Sequence, residues 1–166
     1  MPSRQKAKGN NFERDVAKHL SSVFDTNFAR VPTSGAMTGG MNADVLAKLT
    51  KSQKLLLEGD LIPPDHLYKM KIECKSHKNF SFSKIFSGNK LLDDWIKQAE
   101  SLEKVWFLIF KINNRGKFIV FGKGVYKTCN CLEGENYLIY KGRYYMTPME
   151  GFFEKYKTLL LKLCEG

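Results

Sequence analysis

Two carboxylates and one ammonium group within a short stretch carry the clearest chemistry in this sequence. Asp60 stands in Glu58-Gly59-Asp60-Leu61-Ile62, and Glu73 and Lys75 stand in Met70-Lys71-Ile72-Glu73-Cys74-Lys75. Side chains alternate faces along a strand. Met70, Ile72 and Cys74 then point toward a core, and Lys71, Glu73 and Lys75 share the opposite, polar face. Asp60 reaches them if its own strand pairs with theirs through a turn at Pro63-Pro64-Asp65. Two carboxylates and a lysine meeting at a sheet edge suit the holding of a divalent ion beside a phosphodiester.

Other polar residues compete for attention. Glu13 lies three residues after Asn10 at the expected start of a helix, where it fits N-terminal capping as well as catalysis. Asp44, in Ala43-Asp44-Val45-Leu46-Ala47, rivals Asp60 as a strand-lip carboxylate, and Asp60 is preferred because a tight turn brings it beside Glu73. His77 follows Lys75 by two residues and is placed to touch phosphate, or is simply exposed. His19 and His66 read as structural. The four cysteines, Cys74, Cys129, Cys131 and Cys164, contain no C-x-x-C pair and do not frame a zinc site. Cys129-Asn130-Cys131 reads as a pair of buried or loop thiols ahead of a metal ligand pair.

The elements that position these residues follow from periodicity. A basic arm over residues 1–9 carries Arg4, Lys6 and Lys8. Phe12, Val16, Leu20 and Val23 recur at helical spacing and predict a helix from about Asn11 to Val23, capped by Asn10. Phe28 to Val31 is extended, and residues 32–42 form a glycine-rich loop. Strands are expected at 60–62 and 67–75, followed by a Ser-, Phe- and Lys-rich loop over 76–89 and a helix over 91–104. An aromatic, β-branched strand at 105–112 turns through Asn113–Gly116 into another at 118–122. One or two short strands within 137–145 and a last helix over 149–164 complete an α/β layered domain around a mixed sheet.

Composition bounds the partners. The 166 residues suit one domain, 1–166. Lysine and arginine number 27 against 17 acids, a formal net charge of +10 that favours nucleic acid over other partners. No apolar run approaches the ~20 residues of a membrane span, and the N-terminus does not resemble a signal peptide. The expectation is a reducing, cytoplasmic setting (host cytoplasm if the source is viral), free thiols and no membrane partner.

Four segments together resemble the archaeal-type and phage Holliday-junction resolvase-like family of the PD-(D/E)XK nuclease superfamily. They are Lys8-Gly9-Asn10-Asn11-Phe12-Glu13-Arg14, Arg30-Val31-Pro32-Thr33-Ser34-Gly35, Gly59-Asp60-Leu61-Ile62 and Ile72-Glu73-Cys74-Lys75. The likeness covers roughly residues 6–78, with Gln98 as a further matching position on the next helix. Gly-Asp-Leu-Ile-Pro-Pro and the Leu92–Trp95 segment look most like resolvase-like phage proteins. Gly59 replaces the proline of many members, the 35–60 segment is longer, and the C-terminal elaboration 123–166 has no counterpart.

The resemblance implies a restriction-endonuclease-like core, a mixed central sheet flanked by helices. It also implies hydrolysis of DNA with Mg²⁺, for which Mn²⁺ substitutes, and no small-molecule cofactor. Asp60, Glu73, the Cys74 carbonyl and Glu13 would hold the metal, Lys75 would orient the attacking water, and Gln98 would position that water or Lys75. DNA would contact Arg4, Lys6, Lys8, Arg14, Arg30, Thr33, Ser34, Gly35, His77 and Lys78. The implied substrate is a four-way junction, cut by paired nicks from a homodimer. The alternatives are a nuclease of the same superfamily acting on ends, flaps or single strands, and a catalytically silent nucleic-acid-binding module.

Overall fold

The computed structural model describes residues 4–31, 48, 50, 58–129 and 136–165, with the backbone alone at 4–6. Thr33, Ser34, Gly35, Asp44 and Cys131 lie outside the described residues.

The sheet is built around strand β4 (Val105–Ile112). Its apolar run is continuous because both faces are covered. Phe107 and Ile109 enter one core; Trp106, Leu108, Phe110 and Ile112 enter the other. β3 (Met70–His77) lies parallel to β4, and β5 (Gly116–Gly122) antiparallel on its far side. β7 (Tyr144–Pro148) and β6 (Leu138–Tyr140) complete the order β3-β4-β5-β7-β6, leaving β3 at one edge. The β4–β5 turn places Asn114 and Gly116 at φ of 59° and 95°, as a tight reversal requires.

Helices cover both faces. α1 (Arg4–Phe24) buries Phe12, Val16, Ala17, Leu20 and Phe24 against the Met70, Ile72 and Cys74 side of β3, with α3 (Lys123–Cys129) and α4 (Phe152–Cys164) packed on the same core. α2 (Lys90–Ala99) is the crossover between the parallel strands and buries Leu92, Trp95, Ile96 and Ala99 on the other face. Asn89 caps it, its side chain accepting from Leu92 N–H at 3.2 Å. The expected mixed sheet between helices is what the chain forms.

Several expectations are corrected. α1 begins at Arg4, so the segment read as an arm is helical from that residue. Asn10 lies inside the helix and does not cap it, and Glu13 lies beyond its first turn. The strand of Asp60 does not form a hairpin with that of Glu73. β2 (Leu61–Ile62) pairs antiparallel with β1 (Ala29–Arg30) in a separate two-stranded ribbon. Residues 65–67 form a 3₁₀ turn in place of a simple reversal. α2 stops at Ala99, where Glu100 turns extended so that β4 can begin at Val105. α4 begins at Phe152, after Gly151 in the left-handed region at φ 72°. α3 has no counterpart among the elements that periodicity predicts: it has only seven residues and includes Gly124, Val125 and Thr128, all weak helix formers.

Candidate active site

β3 departs from its neighbours on the α2 face. There β4 and β5 are apolar, whereas β3 presents Lys71, Glu73 and Lys75. On the opposite face Met70, Ile72 and Cys74 enter the α1 core, as the alternation predicts. The polar residues therefore sit at the sheet's edge with one wall of helix α2. Lys71 Nζ donates to the Gln98 carbonyl of that helix at 2.9 Å. Glu73 is 8% exposed, and Lys75 Nζ donates to its Oε1 at 2.6 Å.

Asp60 is held against this edge from outside. Its N–H donates to the Ile72 carbonyl at 2.8 Å, and its Oδ2 accepts from the Cys74 N–H at 2.8 Å. Its own carbonyl accepts from Val31 N–H at 2.9 Å, tying it to the β1 side. One strand residue's N–H and C=O point to the same side. The Cys74 carbonyl thus lies on the open edge that faces Asp60.

Gly59 makes this approach possible. Its φ is +88°, and a Cβ there would lie 2.6 Å from the Ile72 carbonyl oxygen. Proline, with φ fixed near −65°, cannot take this conformation. Gly59 therefore cannot be exchanged for proline without rebuilding the backbone that brings Asp60 to β3.

Glu13 approaches from α1. It is 8% exposed and forms an ion pair with Arg30 Nε, while Arg30 Nη2 donates to Asn10 Oδ1 at 2.8 Å. The capping explanation for Glu13 falls with the earlier helix start. Asn10 is an orienting residue that periodicity alone does not reveal, because the Arg30 it serves is twenty residues away.

The three acids share one field. Burial raises the Glu13 pKa above its ordinary 4.5, and the Asp60 carboxylate raises it further, against the pull of Arg30 and Lys75. Burial and then Asp60 raise Glu73 likewise, against Lys75 and Lys71. Burial, and then the Asp60, Glu13 and Glu73 carboxylates, drive the Cys74 thiol well up, which keeps it in the thiol form.

Among the described residues no three His, Cys, Asp or Glu side chains form a ready-made metal cage. Mg²⁺ does not need one: it takes one or two carboxylates, keeps several waters and accepts substrate phosphate. Asp60 and Glu73 are hard oxygen donors, and Glu73's pKa is held up by burial and then by the Asp60 charge; the pair fits such an ion.

The remaining candidates lie around this centre. Gln98 is exposed on α2, and only its carbonyl is engaged with β3, through Lys71. Arg14 is exposed on α1 beside Glu13, its guanidinium on Asn11 Oδ1 at 3.2 Å, and Lys8 is exposed a turn and more earlier. Arg4 and Lys6 lie on the first turn of α1. His77 and Lys78 are exposed where β3 ends, His77 Nδ1 lying 2.6 Å from the Asn79 carbonyl. Arg30 turns inward to Glu13 and Asn10.

Over residues 4–163 the sequence matches the model of a family described as "Phage putative PDDEXK endonuclease". The chain belongs to this PDDEXK endonuclease family. Asp60, Glu73 and Lys75 follow one another along the matched residues as two acids and a lysine. The matched residues include 123–163, the segment that carries α3, β6, β7 and nearly all of α4. The α/β restriction-endonuclease-like architecture and the nuclease class follow from this membership. No curated protein matches the chain. No solved structure matches it either. No described helix of this PDDEXK protein is long and apolar enough to cross a membrane.

Proposed function

We propose that this PDDEXK protein is a Mg²⁺-dependent DNA endonuclease with Asp60 and Glu73 as metal ligands. The observation that carries the proposal is the clamp of Asp60 onto β3. Its carboxylate sits on the Cys74 N–H, one residue from Glu73, at an edge where the Cys74 carbonyl also points.

A divalent ion bound there supplies Lewis-acid polarisation of the phosphoryl oxygen and a water of lowered pKa. The chain's own residues do the rest. Lys75, held at 2.6 Å from Glu73, presents an ammonium group beside the reacting phosphate and offsets the charge that develops on it. Arg30 keeps Glu13 turned toward Asp60 and balances part of the acids' charge. Gln98 supplies an amide on the α2 wall to orient water or Lys75. Arg14, Lys8, His77 and Lys78, with Arg4, Lys6, Thr33, Ser34 and Gly35, supply the phosphate contacts.

Within this class we favour branched DNA, a four-way junction cut by a homodimer. The support is the likeness of the Glu13, Arg30, Asp60 and Glu73 segments to junction resolvases, and the large positive charge. Two copies related by a two-fold axis would bring two centres to opposite strands. The test is a panel of labelled four-way junction, splayed arm, flap and linear duplex, each with Mg²⁺ or Ca²⁺. Paired symmetric nicks on the junction in Mg²⁺ are expected. Trimming of ends or flaps alone would move the substrate elsewhere within the superfamily, and binding without cutting in any metal would leave a silent DNA-binding module.

A further inference from the structure

The polar face of β3 continues past the acids. Glu73, Lys75 and His77 follow at two-residue spacing and lead into the loop that precedes α2. That loop is braced. Ile85 is buried, the Asn89 side chain donates to the Ser81 carbonyl at 3.2 Å, and the Asn89 N–H donates to the Tyr140 hydroxyl at 3.0 Å. A 3₁₀ turn, Phe82–Ile85, closes with the Phe86 N–H on the Ser83 carbonyl at 3.4 Å. On this fixed platform Phe86 projects into solvent, 86% exposed. The earlier part of the same loop, Asn79–Ser83, lines a groove of about 580 Å³ with Arg115 of the β4–β5 turn. The two walls are joined by the Asn113 N–H donating to the His77 carbonyl at 3.2 Å.

An unburied phenyl ring on a braced loop forgoes a large apolar contact, and the charge around it identifies what can supply one. From Ser76 to Leu92 the sequence has His77, Lys78, Lys84 and Lys90 and no acid; of the two acids that follow on α2, Asp94 pairs with Lys90 at 3.7 Å and Asp93 with Lys141 at 2.7 Å, which leaves Lys78 and Lys84 as the loop's cations. From Lys104 to Leu132 it has Arg115 at the groove, Lys111 and Lys117 paired in the β4–β5 hairpin below it, and again no acid. A second copy meeting this face through a two-fold axis would set lysine against lysine. A polyanion with flat apolar faces satisfies both features. Within intact duplex the base faces are already stacked on each other, so a ring finds a free one only where stacking is interrupted.

We propose that Phe86 stacks on an unstacked nucleobase of the DNA while Lys84 and Arg115 hold the flanking phosphates. The strand rise places the end of β3, where the loop starts, roughly 13 Å beyond Glu73, about four nucleotides of helix axis at ~3.4 Å each. The substrate is then DNA with an opened base on that side of the cut, at a branch point or in a single-stranded segment. This rests on the nuclease reading only for what is cut; the base contact itself is a binding property.

The test measures affinity by anisotropy in Ca²⁺ for a four-way junction, a flap and linear duplex of one sequence. Phe86→Ala should lower the ratio of branched to duplex affinity about tenfold, the scale of one aromatic–base stack, and Phe86→Trp should restore it. The added indole of Phe86→Trp should lose emission on branched DNA and much less on duplex. Arg115→Gln should reduce the slope of log affinity against log salt by about one. A Phe86→Ala ratio within about twofold of wild type, or an indole indifferent to branched DNA, overturns the proposal. So does a Phe86→Ala variant whose sedimentation changes while its DNA affinities do not. If no metal supports cutting yet the ratio falls as stated, the nuclease reading fails and the base contact stands.

Discussion

At the residue scale, burial and then the neighbouring Asp60 carboxylate set the protonation of Glu13 and Glu73. Glu13 and Glu73 have pKa values above their ordinary 4.5 in the folded protein. A folded-state carboxyl with a raised pKa binds its proton more readily than the unfolded chain does. Stability from these two groups is therefore greatest below the ordinary value and falls as pH rises through the raised one. Without divalent ions, the Tm should drop more between pH 5 and pH 8 in the wild type than in a Glu13→Gln/Glu73→Gln double variant, and Mg²⁺ should narrow the drop. Equal drops in both proteins would remove the electrostatic account. Cleavage should fall as the acids protonate, so the rate should decline as pH is lowered through the raised values. Lys75→Met should cut the rate by about 10²–10³, with DNA affinity measured in Ca²⁺ little altered. A rate within a few fold of wild type would show that the ammonium group does not act on the reacting phosphate.

At the element scale, the site depends on how β2 is brought to the edge of β3. The Asp60 N–H and carboxylate replace ladder bonds at that edge, and Gly59 is the point of closest approach. Gly59→Ala places a methyl 2.6 Å from the Ile72 carbonyl oxygen at a φ of +88°. It should destabilise the protein by about 1–3 kcal/mol and reduce cleavage through displacement of Asp60, seen as a lower Tm together with a lower rate. A variant with wild-type rate and Tm would show that the turn can be rebuilt without the glycine. The strand carrying Glu73 and Lys75 was legible because Met70, Ile72 and Cys74 alternate with polar residues. β4 was legible because its apolar run is long and β-branched or aromatic. The route of Asp60 to that strand was not, since it runs through a ribbon with Ala29–Arg30, a pairing over some thirty residues that no local pattern marks. Glu13 was ambiguous for a related reason: Asn10 has the side chain of a cap, and only the extra helical turns before it assign that amide to Arg30. α3 escaped because its burial of Val125 and Cys129, not its helix propensity, holds it in place.

At the scale of the whole molecule, the net charge is +10, while Glu13 and Glu73 both feel the Asp60 carboxylate. DNA binding should weaken steeply with salt. If 6–10 phosphates are contacted, affinity should fall roughly 10³–10⁵-fold between 50 and 200 mM salt, and a nearly flat response in a filter-binding titration would contradict an electrostatic mode. A homodimer on a four-way junction predicts two copies per DNA in sedimentation, and one copy per junction would exclude paired incision by a preformed dimer.

The central claim is that Asp60 and Glu73 share a divalent ion that cuts DNA at the rim of β3. The most direct measurement is cleavage of an end-labelled DNA substrate in Mg²⁺ by the wild type, Asp60→Asn and Glu73→Gln, with binding of each followed in Ca²⁺. The account predicts cutting by the wild type alone, with all three proteins bound to the DNA at comparable affinity. Cutting by either variant at near wild-type rate would contradict it, and loss of cutting on Asp44→Asn with Asp60→Asn still active would move the metal to the other aspartate.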